Sequence, residues 1–458
     1  MPPTDAPPPT DPAPETVRGR VALISLGCAK NLVDSEGLVG RLQSAGFELA
    51  TSLEQADVAL VNTCGFIDPA KEESIETIVE VTRHKEFGRL RGVMVAGCLV
   101  ERYRDDLSRE MPEVDRWLGF SDYADIVEAA EGLMGLPQVP RHPEERVLLS
   151  PSAYAYLKIS EGCDQRCAFC AIPAIRGSLR SRSIEDNVED ARRIAALGVS
   201  EINVVSQDTT AYGRDLYGER RLQDLLRALT AVEGPRWWRV LYLYPSTLRD
   251  DVLLEIASNV GVVPYVDVPL QHMSDRVLKR MRRGISADRQ FVLLDRIRRL
   301  VPDVAIRSTL ITGFPGETAS DHDANLTAVR DGRFDRLGVF TFSREEGTAS
   351  HDMEDPVPVE LAEERRAELM EAQQRVHFAW NRAQVGRTLD ILIEESDPDT
   401  GQGTGRSMWD APDVDACVHV SGLSGDLPPT GHIVPVGITG TQDYDLVGVV
   451  EGSEVPRE

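Results

Sequence analysis

Up to about residue 345 this chain alternates short, continuous apolar runs with stretches of helical periodicity, and few folds accommodate that rhythm. Such runs between helices read as strands of a parallel sheet covered on both faces. Three of them, at 21–26, 57–62 and 92–96, fall early, with helices expected from near Asp34-Ser35 to Gly46 and over 75–83. Six more follow, at 154–159, 201–206, 239–244, 265–270, 305–312 and 336–342, separated by helical segments such as 184–197, 222–232 and 289–300. Six βα units with right-handed crossovers predict a partial barrel, short of the closed eight-unit form.

After a charged helix at 360–382 the texture changes. Short β-rich runs at 389–393, 416–420, 432–439 and 446–450, set between Gly, Pro and Asp turns, predict a small antiparallel barrel. Seven prolines in the first fourteen positions predict a disordered tail. The expected organisation is a tail over 1–18, a parallel α/β domain over 19–135, a Pro-containing linker over 136–150, a partial (β/α)6 barrel over 151–383 and the small β-barrel over 384–458. No apolar run approaches the ~20 residues of a bilayer span, and no secretory signal is read at the N-terminus. The expected location is therefore cytoplasmic, with no membrane partner, and there cysteines serve metals or catalysis more often than disulfides.

Six of the seven cysteines form two groups of three. Cys163, Cys167 and Cys170 share one loop, Glu161-Gly-Cys-Asp-Gln-Arg-Cys-Ala-Phe-Cys170, directly after the first strand of the partial barrel. That is the face where barrel enzymes place their chemistry. Cys28, Cys64 and Cys98 are far apart in sequence, but each lies just beyond a predicted parallel strand, and neighbouring parallel strands bring such positions to one edge. Gly27 and Gly97 precede two of them, which lets the backbone approach a bulky group. Three thiolates are one short of closing a four-iron cluster or a structural zinc site, so each set leaves a coordination position for chemistry. The bland alternatives are a zinc knuckle with a distant fourth ligand for the first set and buried structural cysteines for the second. Cys417 reads as a core residue of the small barrel.

The cysteine loop and the strands around it resemble the radical S-adenosylmethionine superfamily. The resemblance implies a four-iron, four-sulfur cluster on Cys163, Cys167 and Cys170 that donates an electron to S-adenosylmethionine. It places Phe169 near the adenine and points to Ser206-Gln207-Asp208, Gln271-His272, Ile306-Arg307-Ser308 and the run Ile311-Thr-Gly-Phe-Pro-Gly-Glu317 for the rest of the cofactor. Of these, Phe169, Gln207 and Arg307 are the expected cofactor contacts, although Gln207 and Arg307 also fit as interior hydrogen-bonding residues. Arg176, Arg180 and Arg182 fit either the cofactor carboxylate and substrate or structural salt bridges.

Taken together, the three-cysteine domain, the radical barrel and the small barrel (called TRAM) resemble the methylthiotransferase family over nearly all of 20–450. Ser25-Leu-Gly-Cys-Ala-Lys-Asn-Leu-Val-Asp-Ser-Glu36 is similar to the branch that modifies an aspartate of a small-subunit ribosomal protein. The resemblance implies two four-iron clusters, with Cys28, Cys64 and Cys98 holding the second, and an external electron donor. The competing readings are the same chemistry on a transfer-RNA adenosine and a non-catalytic iron–sulfur or zinc scaffold.

Charge bears on that choice. Lys and Arg number 50 against 75 Asp and Glu, a net of −25. Residues 386–458 hold Arg387, Arg406 and Arg457 against fourteen acidic residues. Such a surface repels phosphate, which disfavours RNA binding through this domain, and attracts a lysine- and arginine-rich ribosomal protein. A merely solvated acidic face is the bland alternative.

Overall fold

The computed structural model describes residues 17–139, 146–423 and 430–451. Most of the expected 1–18 tail, part of the 136–150 linker and Arg457 lie outside the described residues. The chain divides after Leu149 into two compact units.

The first unit is a five-stranded parallel sheet in the order β2-β1-β3-β4-β5: β1 Gly19–Ser25, β2 Phe47–Leu49, β3 Val58–Thr63, β4 Gly92–Gly97 and β5 Arg116–Leu118. Four helices cover it: α1 Ala29–Ser44, α2 Asp68–Phe87, α3 Cys98–Glu110 and α4 Ile126–Met134. Every residue of β3 and β4 is buried, as central strands of a two-faced sheet must be. The period of two sorts them cleanly. Val58 and Leu60 pack with Leu38, Leu42 and Ile126 on one face, whereas Ala59 and Val61 pack with Ile78, Val81 and Leu99 on the other. Helix α1 begins at Ala29, not near Asp34-Ser35 as expected. Cys28 is its extended N-cap residue, and the Ser35 hydroxyl bonds inward to Ser25 Oγ (2.7 Å) and Asn62 Nδ2 (2.7 Å) rather than capping.

The second unit begins with the six expected strands: β6 Tyr154–Lys158, followed by the short antiparallel pair β7 Ser160–Glu161 and β8 Arg180–Ser181, then β9 Glu201–Val205, β10 Trp237–Val240, β11 Tyr265–Asp267, β12 Ala305–Thr312 and β13 Arg336–Thr341. All pairings among the six are parallel, in the orders β6-β9-β10 and β11-β12-β13, and a Trp238–Val262 bridge links the halves. Strand β10 stops short of the expected 239–244 because Tyr242 adopts a left-handed φ of 61°, held by a 2.8 Å bond from its amide to Asp267 Oδ2.

Helix Val359–Gln384 leads into a closed barrel of β14 Thr388–Asp397, β15 Gln402–Ser407, β16 Val418–Ser421, β17 Ile433–Gln442 and β18 Asp445–Val450. The sequence predicts an antiparallel barrel; one pair, β16–β18, is parallel. A single segment of it, 406–415, reaches the beginning of all six barrel strands. Asp413 accepts from Tyr154 and Tyr156 (both 2.9 Å), Arg406 pairs with Glu201 (2.6 Å), and the Met408 carbonyl accepts from Arg239 (2.9 Å). Asp415 accepts from Tyr265 and faces Arg307 at 3.5 Å, and Asp410 pairs with Arg336 (2.6 Å). The small barrel therefore seals the N-terminal mouth, opposite the cysteine loop.

Candidate active site

The loop carrying Cys163, Cys167 and Cys170 leaves the C-terminal end of β6 through β7. Gly162 turns it with φ 76°, and a side chain there would strike the Ser178 carbonyl. Cys163 N donates to Gly177 O (3.0 Å), and Ala168 N donates to Met281 O (2.9 Å), so both halves of the barrel grip the loop. Ala168 is buried with Val277, Met281 and Phe314, and Phe169 packs against the same cluster. Gln165 N donates to Cys163 Sγ (3.4 Å), while Gln165 Nε2 reaches Asp208 Oδ2 (2.8 Å).

Two residues that the sequence does not single out address the loop's middle sulfur. Arg283 Nη1 donates to Cys167 Sγ at 3.2 Å, and Tyr244 Oη lies 3.5 Å from it. Nothing local marks either residue, because both arrive from other βα units. Burial pushes the Cys163 and Cys170 thiols up to about 12, so they ionise only against a bound cation. Among the described residues, the donor atoms gathered within 4.8 Å of one another belong to Cys417, His419 and Asp445 instead. Three thiols on one loop, with an arginine donating to the middle sulfur, fit a thiolate-ligated iron–sulfur cluster.

Around this loop the C-terminal mouth holds three buried polar atoms with no protein partner: Ser160 Oγ, Gln207 Oε1 and Gln271 Oε1. They follow β6, β9 and β11, and they suit a polar ligand such as S-adenosylmethionine. Gln207 Nε2 donates to Glu161 Oε1 (2.6 Å). Burial alone would raise the Glu161 carboxyl, but Lys158 (2.6 Å) and Arg176 (3.1 Å) hold it down at about 2. Arg182 pairs with Asp190 (2.8 Å), whereas the exposed Arg180 side chain has no partner among the described residues. Arg307 lies elsewhere: its guanidinium is committed to Asp267 Oδ1 (3.1 Å) and to Asp415. His272 is fully buried beside Asn325 (3.1 Å), and Gly313 approaches Ala362 closely while Glu317 caps its amide.

In the first unit, β1, β3 and β4 are neighbours, so Cys28, Cys64 and Cys98 follow the C-terminal ends of three adjacent strands. Glycines knit these ends together. A Cβ on Gly27 would sit 2.8 Å from Cys64 Cβ, and one on Gly65 would sit 2.6 Å from Leu99 Cα, next to Cys98. Cys28 is exposed, Cys64 half-buried and Cys98 buried. Asn31 Nδ2 braces the first loop through Leu26 O (2.7 Å), and Ser74 Oγ braces the second through Cys64 O (2.8 Å). The donor set, three thiols following adjacent strands at one sheet edge, fits a thiolate-ligated cluster. Cys417 departs from expectation. It is half-buried at the edge of β16, facing His419 and Asp445, not part of the core.

Three family models match the chain: the uncharacterized protein family UPF0004 over 20–119, the radical SAM superfamily over 157–327 and the TRAM domain over 385–450. Curated relatives include the ribosomal protein uS12 methylthiotransferase RimO of Symbiobacterium thermophilum, 45% identical over 94% of this chain and 90% of that protein. The protein of the same name from Aquifex aeolicus is 47% identical over 94% and 96%. Among solved structures, the radical S-adenosylmethionine methyltransferase TsrM of Kitasatospora setae shares the fold, with a TM-score of 0.53 at 15% identity over 72% of this chain and 76% of that one. No described helix is long and apolar enough to cross a membrane.

Proposed function

This chain belongs to the ribosomal protein uS12 methylthiotransferase family, and we propose that it attaches a methylthio group to the β-carbon of an aspartate in that small-subunit ribosomal protein. Cys163, Cys167 and Cys170 would hold a four-iron cluster that would supply an electron for reductive cleavage of S-adenosylmethionine, and Cys28, Cys64 and Cys98 would hold a second that would offer a site for sulfur.

The protein's own groups hold and orient these parts. Arg283 offsets charge at Cys167. Glu161, kept ionised by Lys158 and Arg176, fixes the Gln207 amide, which leaves Gln207 Oε1 to accept from the cofactor. Phe169, packed beside Phe314, provides an aromatic wall for the adenine. Arg307 we assign to holding the small barrel, since reaching the cofactor would strip two carboxylates of their cation.

The small barrel supports a basic protein substrate over RNA. Of its three arginines, Arg406 is buried in ion pairs, so it adds nothing to the surface potential. Its place at the far mouth makes its charge act on encounter, not on the reacting carbon. The reading requires an external one-electron donor and a cytoplasmic setting, where ribosomal substrate is present. We take 19–135, 151–383 and 384–458 as the functional divisions.

The observation that carries this reading is the pairing of one three-thiol loop at a barrel mouth with a second three-thiol edge on a parallel sheet. Mass spectrometry of uS12 from cells with and without this gene tests it. One methylthio group on an aspartate, present only with the gene, is the expected result. Unmodified uS12 together with methylthiolated adenosine in transfer RNA would move the substrate to RNA.

A further inference from the structure

We propose that Cys417, His419 and Asp445 form a separate binding site for a single divalent transition-metal ion of the zinc class on the small barrel. The register of the parallel pair β16–β18 builds it: Val418 faces Leu446, so Cys417 and Asp445 meet at the start of the two strands. The strand period of two then returns His419 to the face of Cys417. Backbone bonds pin the carboxylate and its strand. Cys417 N donates to Asp445 Oδ1 (2.9 Å), and Leu446 N donates to Cys417 O (3.1 Å). With Oδ1 engaged, Oδ2 turns to the imidazole.

Two chemistries use a thiol, an imidazole and a carboxylate, and the geometry separates them. In a nucleophile relay the thiol and carboxylate occupy opposite ring nitrogens. Here both converge on one: His419 Nε2 is 3.2 Å from Asp445 Oδ2 and 4.0 Å from Cys417 Sγ. All three donor atoms lie within 4.8 Å of one another. A tetrahedral zinc with N and O at about 2.0 Å and S at about 2.3 Å separates N from O by roughly 3.3 Å and S from N by roughly 3.5 Å. The set therefore needs only a small inward movement of the sulfur. Mixed S, N and O donors select a transition ion over calcium or magnesium. The His419 and Asp445 side chains are 39% and 29% exposed, so an ion can enter and a water can complete its shell.

The test uses the full chain, reconstituted anaerobically with iron and sulfide, exposed to zinc sulfate and desalted. Iron, sulfide and zinc are then counted together. About one zinc per chain is expected in addition to the iron, with X-ray absorption showing one sulfur among nitrogen and oxygen neighbours. In Asp445→Asn, which keeps an acceptor for the Cys417 amide, chelator competition should show zinc binding weakened at least about tenfold. In the double variant Cys417→Ser with His419→Asn, zinc should be lost while iron and sulfide are retained. If the double variant does not fold, the Asp445→Asn affinity decides alone. No zinc in the unaltered chain, undiminished zinc in the variants, or a shell of three or four sulfurs would overturn the proposal. Iron and sulfide report independently on the cluster reading, so its failure would be distinguishable.

Discussion

Arg283 Nη1 lies 3.2 Å from Cys167 Sγ, and the same guanidinium stacks 4.3 Å from the Tyr244 ring centroid. A cation hydrogen-bonded to a ligand sulfur favours the more negative, reduced cluster and so raises its potential. Arg283→Gln keeps a polar side chain but removes the charge. Its reduction potential should fall by on the order of tens of millivolts, with iron content unchanged and the cluster harder for a donor to reduce. Arg283→Lys should lie between. A redox titration followed by electron paramagnetic resonance checks this, and an unmoved potential would leave Arg283 a packing role only.

Gly27 separates the two triplets experimentally. Its φ is 91°, and an added Cβ would lie 3.1 Å from Cys64 Sγ. Gly27→Ala should therefore disturb one cluster alone: iron after reconstitution drops to about half, and 5′-deoxyadenosine formation persists. Gly37→Ala, where a Cβ meets nothing within 4 Å, is the matched control and should behave as the unaltered chain.

Replacing Cys28, Cys64 and Cys98 together by Ala should abolish methylthio transfer while reductive cleavage of S-adenosylmethionine continues. Product analysis by mass spectrometry reads both. Loss of cleavage in folded protein with iron on the barrel loop would contradict the division of labour between the triplets.

The docking of the small barrel rests on buried charge. Arg406 bridges Glu201 (2.6 Å) and Glu394 (2.7 Å), and Arg239 holds the other Glu201 oxygen (2.7 Å). Arg406→Met removes the cation from Glu394 and leaves Glu201 to Arg239 alone, which should cost about 3–5 kcal/mol in urea unfolding. Adding Glu201→Gln and Glu394→Gln should recover part of it. A single variant as stable as the parent would mean that water enters the joint.

Strands of the parallel sheets were legible where burial on both faces leaves unbroken apolar runs, as in Val58–Thr63 and Gly92–Gly97 of the first unit. The unread elements lack that signature. Phe47–Leu49 and Arg116–Leu118 are three-residue edges. Gln402–Ser407 carries Gly403 and Gly405, whose Cβ atoms would strike the Glu395 and Leu392 carbonyls. The thiols were legible through spacing and strand context. Arg283, Tyr244 and the 406–415 plug were not, since each reaches its partner across the barrel. Cys417 was misread for a related reason: Asp445 meets it through a parallel pairing that an antiparallel reading of the small barrel hides.

The joint between the long helix and the small barrel should weaken in mild acid. His377 Nε2 donates to Tyr444 O (2.7 Å), while Nδ1 faces Arg336 Nη1 at 3.4 Å and must accept. Both nitrogens are thus satisfied only by the neutral ring. Burial first, and then the Arg336 cation, hold the imidazole below its ordinary value despite Asp410 and Asp415 nearby. With the folded value depressed, the unfolded chain takes up the proton first as pH falls. The stability contributed is complete above the ordinary imidazole value of about 6.5 and declines below it, at up to about 1.4 kcal/mol per pH unit. Urea midpoints measured from about pH 7.5 to about pH 5.5 should fall more steeply for the parent than for His377→Gln, which cannot titrate there. Parallel slopes in the two proteins would place the acid sensitivity elsewhere.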